Sequence, residues 1–163
     1  MILSNKSEEI CVPKASDSEI VVIDGLMYQN QPFVDRYTWE EAHEYAKNLR
    51  LGGYDDWRLP TIKELQKVRN PKLDKWQGSE KWIEWMTRHS DVLYKNSKSK
   101  TCYTRKEFVK NMPEYSFFWT STEYENVRNL EILENVAWLE YFNDIRPIYA
   151  QKVNKDFVMC VRG

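Results

Sequence analysis

Two helix-start signals in the first half of the chain constrain its fold most strongly. Thr38 precedes Glu41 by three residues and Thr61 precedes Glu64 by the same spacing, at which both side chains can bond backbone N–H groups at the start of a helix. Apolar residues then recur at helical spacing, and these are Trp39, Ala42, Ala46 and Leu49, followed by Ile62, Leu65 and Val68. The sequence therefore predicts two amphipathic helices, one ending at Gly52-Gly53 and one beginning at Thr61.

The remaining clear signals predict strands, most of them in the last third of the chain. Aromatic and β-branched runs separated by polar turns occur at residues 117–119, 136–142 and 157–161. Near the start, Ile20-Val21-Val22-Ile23 leads into the turn pair Asp24-Gly25, which indicates a strand or a hairpin. Helices followed by strands, without an alternating βαβ pattern, predict an α+β fold with two main helices packed on one twisted antiparallel sheet.

Length and charge limit the number of domains and the kind of partner. The 163 residues, 42% of them hydrophobic, suffice for one sizeable core. The formal net charge of -1 provides no overall field that would attract nucleic acid. No apolar run approaches the roughly 18 residues of a membrane helix, and the opening nine residues lack the apolar centre of a signal peptide. We therefore expect a soluble domain that, as written, is not addressed for export.

The three cysteines do not form a recognisable framework. Cys11, Cys102 and Cys160 are too scattered for a disulfide pattern, and no Cys-x-x-Cys spacing indicates zinc. Three free thiols are the favoured interpretation, and one disulfide between Cys160 and either other cysteine is the alternative.

The order of motifs resembles the Lcl C-terminal domain family over nearly the whole chain, from about Ile20 to Gly163. The residues that carry the resemblance are Gly25-Leu26-Met27-Tyr28-Gln29, Thr38-Trp39-Glu40-Glu41-Ala42, Gly53-Tyr54-Asp55-Asp56-Trp57-Arg58-Leu59-Pro60-Thr61 with Glu64-Leu65, Phe118-Trp119-Thr120-Ser121-Thr122, Ala137-Trp138 and Val158-Met159-Cys160-Val161-Arg162-Gly163. The Asp-Trp-Arg-Leu-Pro-Thr block and the Cys-Val-Arg-Gly ending are the most specific of these.

The resemblance implies a fold similar to C-type lectins and to formylglycine-generating enzymes. It also implies a bacterial surface or secreted setting, because the founding example is an adhesin whose domain is associated with sulfated glycans. Function does not follow from a fold alone. The resemblance therefore favours a non-catalytic adhesion or binding module for a glycan or a protein, at the cell surface or in the periplasm, whereas a chain that is complete as given favours a cytoplasmic interaction or assembly domain.

Two departures from the family pattern affect that interpretation. Ala46 stands where family members often have a cysteine placed to bridge to the one in the closing strand, here Cys160. The stretch 71–114 is also longer and richer in Trp than is usual, which indicates an insertion with helical spacing at its start and a third capping box at Thr104 and Glu107. We therefore expect an N-terminal extension at residues 1–17 and a single domain at 18–163 that contains the insertion.

Loops of the predicted fold supply the candidate ligand contacts. Glu123, Tyr124, Glu125 and Asn126 follow a predicted strand end, where lectin-like folds place their variable binding loops. Trp76 and Trp82 of the insertion have rings that could stack on sugars or anchor a protein. Core packing is the favoured interpretation, because Trp82, Trp85, Met86 and His89 share helical spacing.

Asn143 and Asp144 have the residue types of the calcium ligands in sugar-binding C-type lectins. Calcium takes about six to eight oxygen ligands, and Asn-Asp is also a common turn pair, so a turn is the favoured interpretation. We expect no cofactor, with calcium as the alternative.

Catalysis is not predicted. Arg58 and Arg162 could each contact an anion, but the favoured role of both is structural, with the guanidinium bonding loop carbonyls and pairing with a neighbouring Asp. His43 and His89 lie in no catalytic motif, and His43 is predicted on a solvent-facing part of the first helix. A formylglycine-type oxidoreductase, which would need a pair of active-site cysteines, remains the enzymatic alternative.

Overall fold

The computed structural model describes residues 19–71, 94–95, 101–126, 131–144 and 147–163. The N-terminal extension, Trp76, Trp82 and His89 lie outside these ranges, so the predictions made for them stay predictions. Along the chain the elements are β1 (Ile20–Ile23), β2 (Leu26–Gln29), α1 (Trp39–Asn48), α2 (Ile62–Gln66), β3 (Tyr94–Lys95), β4 (Thr101–Cys102), α3 (Lys106–Val109), β5 (Phe117–Asn126), β6 (Glu131–Tyr141), β7 (Ile148–Gln151) and β8 (Val161–Arg162). The fold is α+β.

The strands form separate antiparallel sheets instead of the single sheet that the sequence predicts. In the described residues the strand orders are β1-β2-β8, β3-β4 and β5-β6-β7. The predicted strand at 157–161 is mostly absent because the closing segment runs from one sheet to another. Phe157 makes an isolated parallel bridge to Phe118, and the part of the closing segment that pairs as a strand is β8, which lies next to β2. Strand β7 was not recognised from the sequence.

Both predicted capping boxes are confirmed. At α1 the Glu41 N–H donates to the Thr38 hydroxyl at 3.3 Å, and the Thr38 N–H donates to the Glu41 carboxylate at 2.9 Å. The same reciprocal pair forms at α2 between Thr61 and Glu64. Helix α1 ends at Asn48, before Gly52-Gly53, because Leu49 already has an extended backbone. Helix α2 is a short element of five residues.

The prediction of a third capping box, between Thr104 and Glu107, is wrong. The N-cap of α3 is Arg105, whose side chain makes no capping hydrogen bond. Thr104 is completely buried, so its side chain lies in the interior instead of over the helix start. Phe108 and Met112, which fall within the predicted insertion, are also buried, and they pack in one hydrophobic cluster with Tyr28.

Two hydrophobic clusters lie on opposite sides of sheet β5-β6-β7. Phe118 and Trp119 are consecutive and fully buried, and successive side chains of a strand point to opposite faces. Phe118 belongs to the first cluster, which also contains Tyr28, Leu65, Phe108, Phe142 and Met159. Trp119 belongs to the second, with Ala42, Ala46, Trp57, Leu139 and Cys160. Ala46 and Cys160 therefore share one buried cluster, and the Cys160 thiol is free.

A buried ion pair lies beside Phe142 at the edge of the first cluster. Arg69, which follows α2, is 3% exposed and pairs with Glu140 of β6, which is fully buried. The same guanidinium donates to the Asp144 carbonyl at 2.7 Å and to the Tyr141 carbonyl at 3.3 Å. The pair thus fixes the end of α2 to the turn after β6.

Within the described ranges, no helix has the length and apolar character needed to span a membrane.

Candidate functional site

The face of sheet β5-β6-β7 opposite the second cluster carries three aromatic side chains in mutual contact. Ala137 and Leu139 of β6 face the second cluster, so Trp138 between them faces the other way. Trp138 pairs across the strands with Tyr149 of β7, which places both rings on the same face. Tyr124 of β5 contacts both of them. We call Tyr124, Trp138 and Tyr149 the aromatic face.

The rings of the aromatic face hold one another at defined angles. Tyr124 and Tyr149 have ring centroids 4.3 Å apart at an interplanar angle of 34°. Trp138 lies 5.3 Å from Tyr124 and 5.8 Å from Tyr149, edge-on to the latter at 88°. Tyr149 is 55% exposed, and the other two are half-buried. The arrangement leaves aromatic surface open to solvent while restricting the rotamers of the rings.

The backbone beneath the aromatic face is fixed to α2. A register shift lies between Trp119 and Glu123 and a second between Glu123 and Glu125, which indicates bulged pairing with β6. Within the first of these shifts, the Ser121 N–H donates to the Pro60 carbonyl at 2.8 Å, and the Ile62 N–H donates to the Thr122 hydroxyl at 3.0 Å. The rings therefore stand on a supported strand and not on a loop.

The chain matches a known protein family over most of its length. The family model for the Lcl C-terminal domain matches residues 22–162, which is most of the chain. The chain belongs to the Lcl C-terminal domain family. A comparison with curated proteins found no match.

The most specific motifs of this Lcl C-terminal domain contact each other. Arg58 and Val161 exchange two backbone hydrogen bonds of 2.9 Å. The Asp56 carboxylate accepts hydrogen bonds from the Arg162 guanidinium at 2.6 and 3.1 Å, and that guanidinium stacks on the Tyr54 ring at 3.6 Å. The block at residues 53–61 thus holds the closing strand β8. Arg162 thus has a structural partner in Asp56, which supports a structural role over contact with an anion.

Arg58 also has a structural role, because its guanidinium donates to the Leu59 carbonyl at 3.3 Å, but its carboxylate partner is Glu64 and not the predicted neighbouring Asp. Its guanidinium donates two hydrogen bonds of 2.8 Å to the Glu64 carboxylate. The charge-assisted bonds from Arg58 lower the pKa of Glu64 to about 2, with further help from the Thr61 N–H. Arg58 therefore reinforces the capping box of α2.

Four of the residues predicted to contact a ligand from a loop lie in strand β5 instead. Strand β5 continues to Asn126, so Glu123 and Tyr124 are within it. Glu125 and Asn126 pair with Ile132 and Glu131 of β6. The predicted loop is wrong because the long-range contacts of Tyr124 with the other rings extend the strand beyond its obvious apolar run. Of the four, Tyr124 belongs to the aromatic face.

Glu123 points to the opposite side of β5 from Tyr124. Its carboxylate accepts a hydrogen bond from the Lys152 ammonium at 3.2 Å, and that ammonium lies 4.1 Å from the centre of the Trp39 ring. Because Trp39 packs near the second cluster, Glu123 contributes to an edge next to α1 and not to the aromatic face.

His43 is not solvent-facing as predicted. Its ring packs edge-on against Trp39 with centroids 4.2 Å apart, and its Nε2 is buried. Burial lowers the pKa of His43, and the nearby Lys152 charge lowers it further. The ring thus serves packing at the start of α1.

Asn143 and Asp144 lie in the turn that follows β6, as the favoured interpretation predicts. The Asn143 side-chain oxygen accepts a hydrogen bond from the Ser116 N–H at 2.7 Å, and the Asp144 carbonyl accepts from Arg69. Both residues therefore connect the turn to neighbouring segments. In the part of the chain that the structure describes, no three His, Cys, Asp or Glu residues are grouped as a metal site.

Sequence reasoning did not select Trp138 or Tyr149 as site residues. The signal that could have found Tyr149 is the alternation in Ile148-Tyr149-Ala150-Gln151, in which Ile148 and Ala150 face the second cluster. For Trp138 the neighbours on both sides are apolar, so the periodicity does not separate the two faces of β6.

Proposed function

We propose that this domain is a non-catalytic binding module and that its ligand is a glycan that lies against the aromatic face. The observation that carries the proposal is the 55% exposed ring of Tyr149, held by Trp138 and Tyr124 on a supported sheet. A solvent-exposed aromatic group in a fixed orientation is a common feature of recognition surfaces.

The chemistry of the three side chains suits a sugar ring. Tyr and Trp offer large rigid apolar surfaces on which the C–H face of a sugar can pack, and their O–H and N–H groups can hydrogen-bond its hydroxyls. Because the rings already restrain one another, little rotamer freedom is lost when a ligand binds. The preformed face therefore favours binding without rearrangement.

The state of Cys160 supports a non-catalytic role over the formylglycine-type alternative. A nucleophilic cysteine needs an accessible thiol with a lowered pKa. The Cys160 thiol is completely buried, and burial raises its pKa well above the usual range. Burial thus disfavours the thiolate of this cysteine and shields its sulfur from a substrate.

The experiment that tests the proposal is a glycan array with the wild-type domain, followed by calorimetric titration of the best neutral and sulfated glycans. Tyr149→Ala is expected to weaken binding at least tenfold, because it removes the exposed ring, while its thermal unfolding stays close to that of the wild type. Tyr115→Ala removes a similarly exposed ring, 50% accessible, from another part of the molecule and is the matched control.

Equal affinity of Tyr149→Ala and wild type would place the glycan elsewhere and reject the aromatic face. A blank array combined with capture of a protein that Tyr149→Ala no longer holds would replace the glycan with a protein ligand on the same face. Turnover of a small substrate would contradict the non-catalytic role itself.

A further inference from the structure

A second candidate site lies away from the aromatic face, where the closing segment meets the residues before β5. It is a cleft of about 280 Å³ lined by Arg36, Pro113, Glu114, Tyr115, Phe117, Asp156 and Phe157. We call it the Asp156 cleft. Its volume is at the lower end of ligand pockets, which are about 300–1,000 Å³. The cleft therefore fits a small molecule or one side chain.

The carboxylate of Asp156 has no hydrogen-bond donor among the described residues. The backbone of Asp156 is engaged, because its N–H donates to the Tyr37 carbonyl at 2.9 Å and its carbonyl accepts from the Tyr37 N–H at 2.8 Å. Arg36 acts on the carboxylate through its charge without forming an ion pair with it. Burial has the larger effect and raises the pKa of Asp156 to about 6.

Aromatic rings form the walls beside this carboxylate. Phe117 stacks on Tyr141 with centroids 4.0 Å apart and an interplanar angle of 6°, which fixes its orientation. Phe157 packs against Phe118 at 5.8 Å, and Tyr115 is half exposed at the rim. Aromatic faces attract cations, and a partly desolvated carboxylate attracts them more strongly than one in water.

We propose that the Asp156 cleft binds an ammonium group carried on a short apolar stem, either a small alkylamine or the side chain of a lysine. The ammonium pairs with the Asp156 carboxylate, which the described residues leave without a donor, and the stem packs on Phe117, Phe157 and Tyr115. This site is independent of the glycan proposal, because its residues and those of the aromatic face do not overlap.

The test is a titration of the full chain with n-butylammonium, followed by NMR of the Asp156 side-chain carboxyl carbon. At saturation the pKa of Asp156 is expected to fall by about one unit, the sign of a tenfold preference of the ammonium for the ionised carboxylate. n-Butanol, which has the same stem without the charge, is expected to bind at least tenfold more weakly.

Variants separate the carboxylate from the rest of the cleft. Asp156→Asn is expected to lower the affinity for n-butylammonium at least tenfold, and Arg36→Ala to raise it, because a competing positive charge is removed. Val22→Ala, at a side chain that is 61% exposed outside both candidate sites, is the control and should bind n-butylammonium like the wild type. A lysine blocked at both its amino and carboxyl ends is the second ligand. Tighter binding than n-butylammonium assigns the site to a lysine of a polypeptide, and weaker binding assigns it to a free amine.

Three results would overturn the proposal. One is an Asp156 signal that does not move with n-butylammonium, and another is an unchanged affinity in folded Asp156→Asn. The third is equal binding of n-butanol, which would show an apolar cleft without selectivity for charge. None of these results bears on the glycan array, so the two proposals can fail separately.

Discussion

Asp156 shows how one side chain can make stability depend on pH. An Asp in an unfolded chain has a pKa of about 3.9, whereas burial raises the pKa of the folded-state Asp156 to about 6. The folded state therefore binds this proton more tightly, and the resulting stabilisation is complete below about pH 4 and is lost as the pH rises through 6. The other charged or titratable groups of the cleft are Arg36, Glu114 and Tyr115, of which Arg36 opposes the shift.

Asp156→Asn is expected to raise the free energy of unfolding at pH 8 by about 1 kcal/mol and to change it much less at pH 4. The value is below that of a full two-unit shift because Asp156 is partly exposed and solvent screens its charge. Urea unfolding at pH 4, 6 and 8 measures the effect, with Glu44→Gln on the exposed side of α1 as control. A difference between Asp156→Asn and wild type that does not grow with pH would contradict it.

At the scale of elements, the sequence predicts those helix starts that depend only on residues close together in the chain. Thr38 and Thr61 were identified because a capping box needs only residues within one helical turn. The α3 cap failed because Thr104 is drawn into the core by contacts distant in sequence, and β5 was predicted too short because Tyr124 is held by Trp138 and Tyr149. The candidate face could not be predicted, since its members come from three strands.

Helix α2 has only five residues, so its stability depends on its N-terminal contacts. Thr61→Ala is expected to lower the free energy of unfolding by about 1 kcal/mol, because the Glu64 N–H loses its acceptor. Lys63→Ala, in the first turn of the same helix, is the control and should have a much smaller effect. Urea unfolding measures the free energy of unfolding of both variants. Equal values for the two would show that the Thr61 cap does not stabilise the fold.

The hydrogen-bonded ion pair of Arg58 and Glu64 is expected to make the stability of the fold depend on pH in acid. Because the pKa of Glu64 is lowered to about 2, its stabilisation is present above about pH 4.5 and is lost as the pH falls toward 2. Glu64→Gln is expected to remove this dependence, which amounts to about 1 kcal/mol for a partly exposed pair. Thermal unfolding between pH 2 and 5 measures it. A wild-type acid slope that persists in Glu64→Gln would assign the effect to other carboxylates.

At the scale of the molecule, the pair of Arg69 and Glu140 connects segments that the sequence gives no reason to join. The partners are 71 residues apart, and both are buried. Such pairs stabilise little compared with apolar replacements, but removing one partner leaves an uncompensated charge in the interior. Neither residue belongs to a recognisable motif, so this connection could only be found in three dimensions.

Arg69→Met is expected to lower the free energy of unfolding by about 3–5 kcal/mol, and Arg69→Met with Glu140→Leu to restore much of it. Lys67→Met breaks an exposed pair with Asp24 at 3.7 Å and should cost less than about 1 kcal/mol. Urea unfolding of the wild type, Arg69→Met, Glu140→Leu and the double variant gives the coupling energy, and Lys67→Met is measured beside them as the control. If the double variant is no more stable than Arg69→Met, the penalty comes from lost packing and not from the unpaired charge.

The placement of Phe118 and Trp119 on opposite faces of one strand keeps the two buried clusters apart. Ala46 and Cys160 pack behind the sheet, whereas Trp138 of β6 faces the other way. A substitution around Cys160 therefore changes packing on one side of the sheet without touching the rings on the other. Variation behind the sheet and variation in front of it can proceed independently.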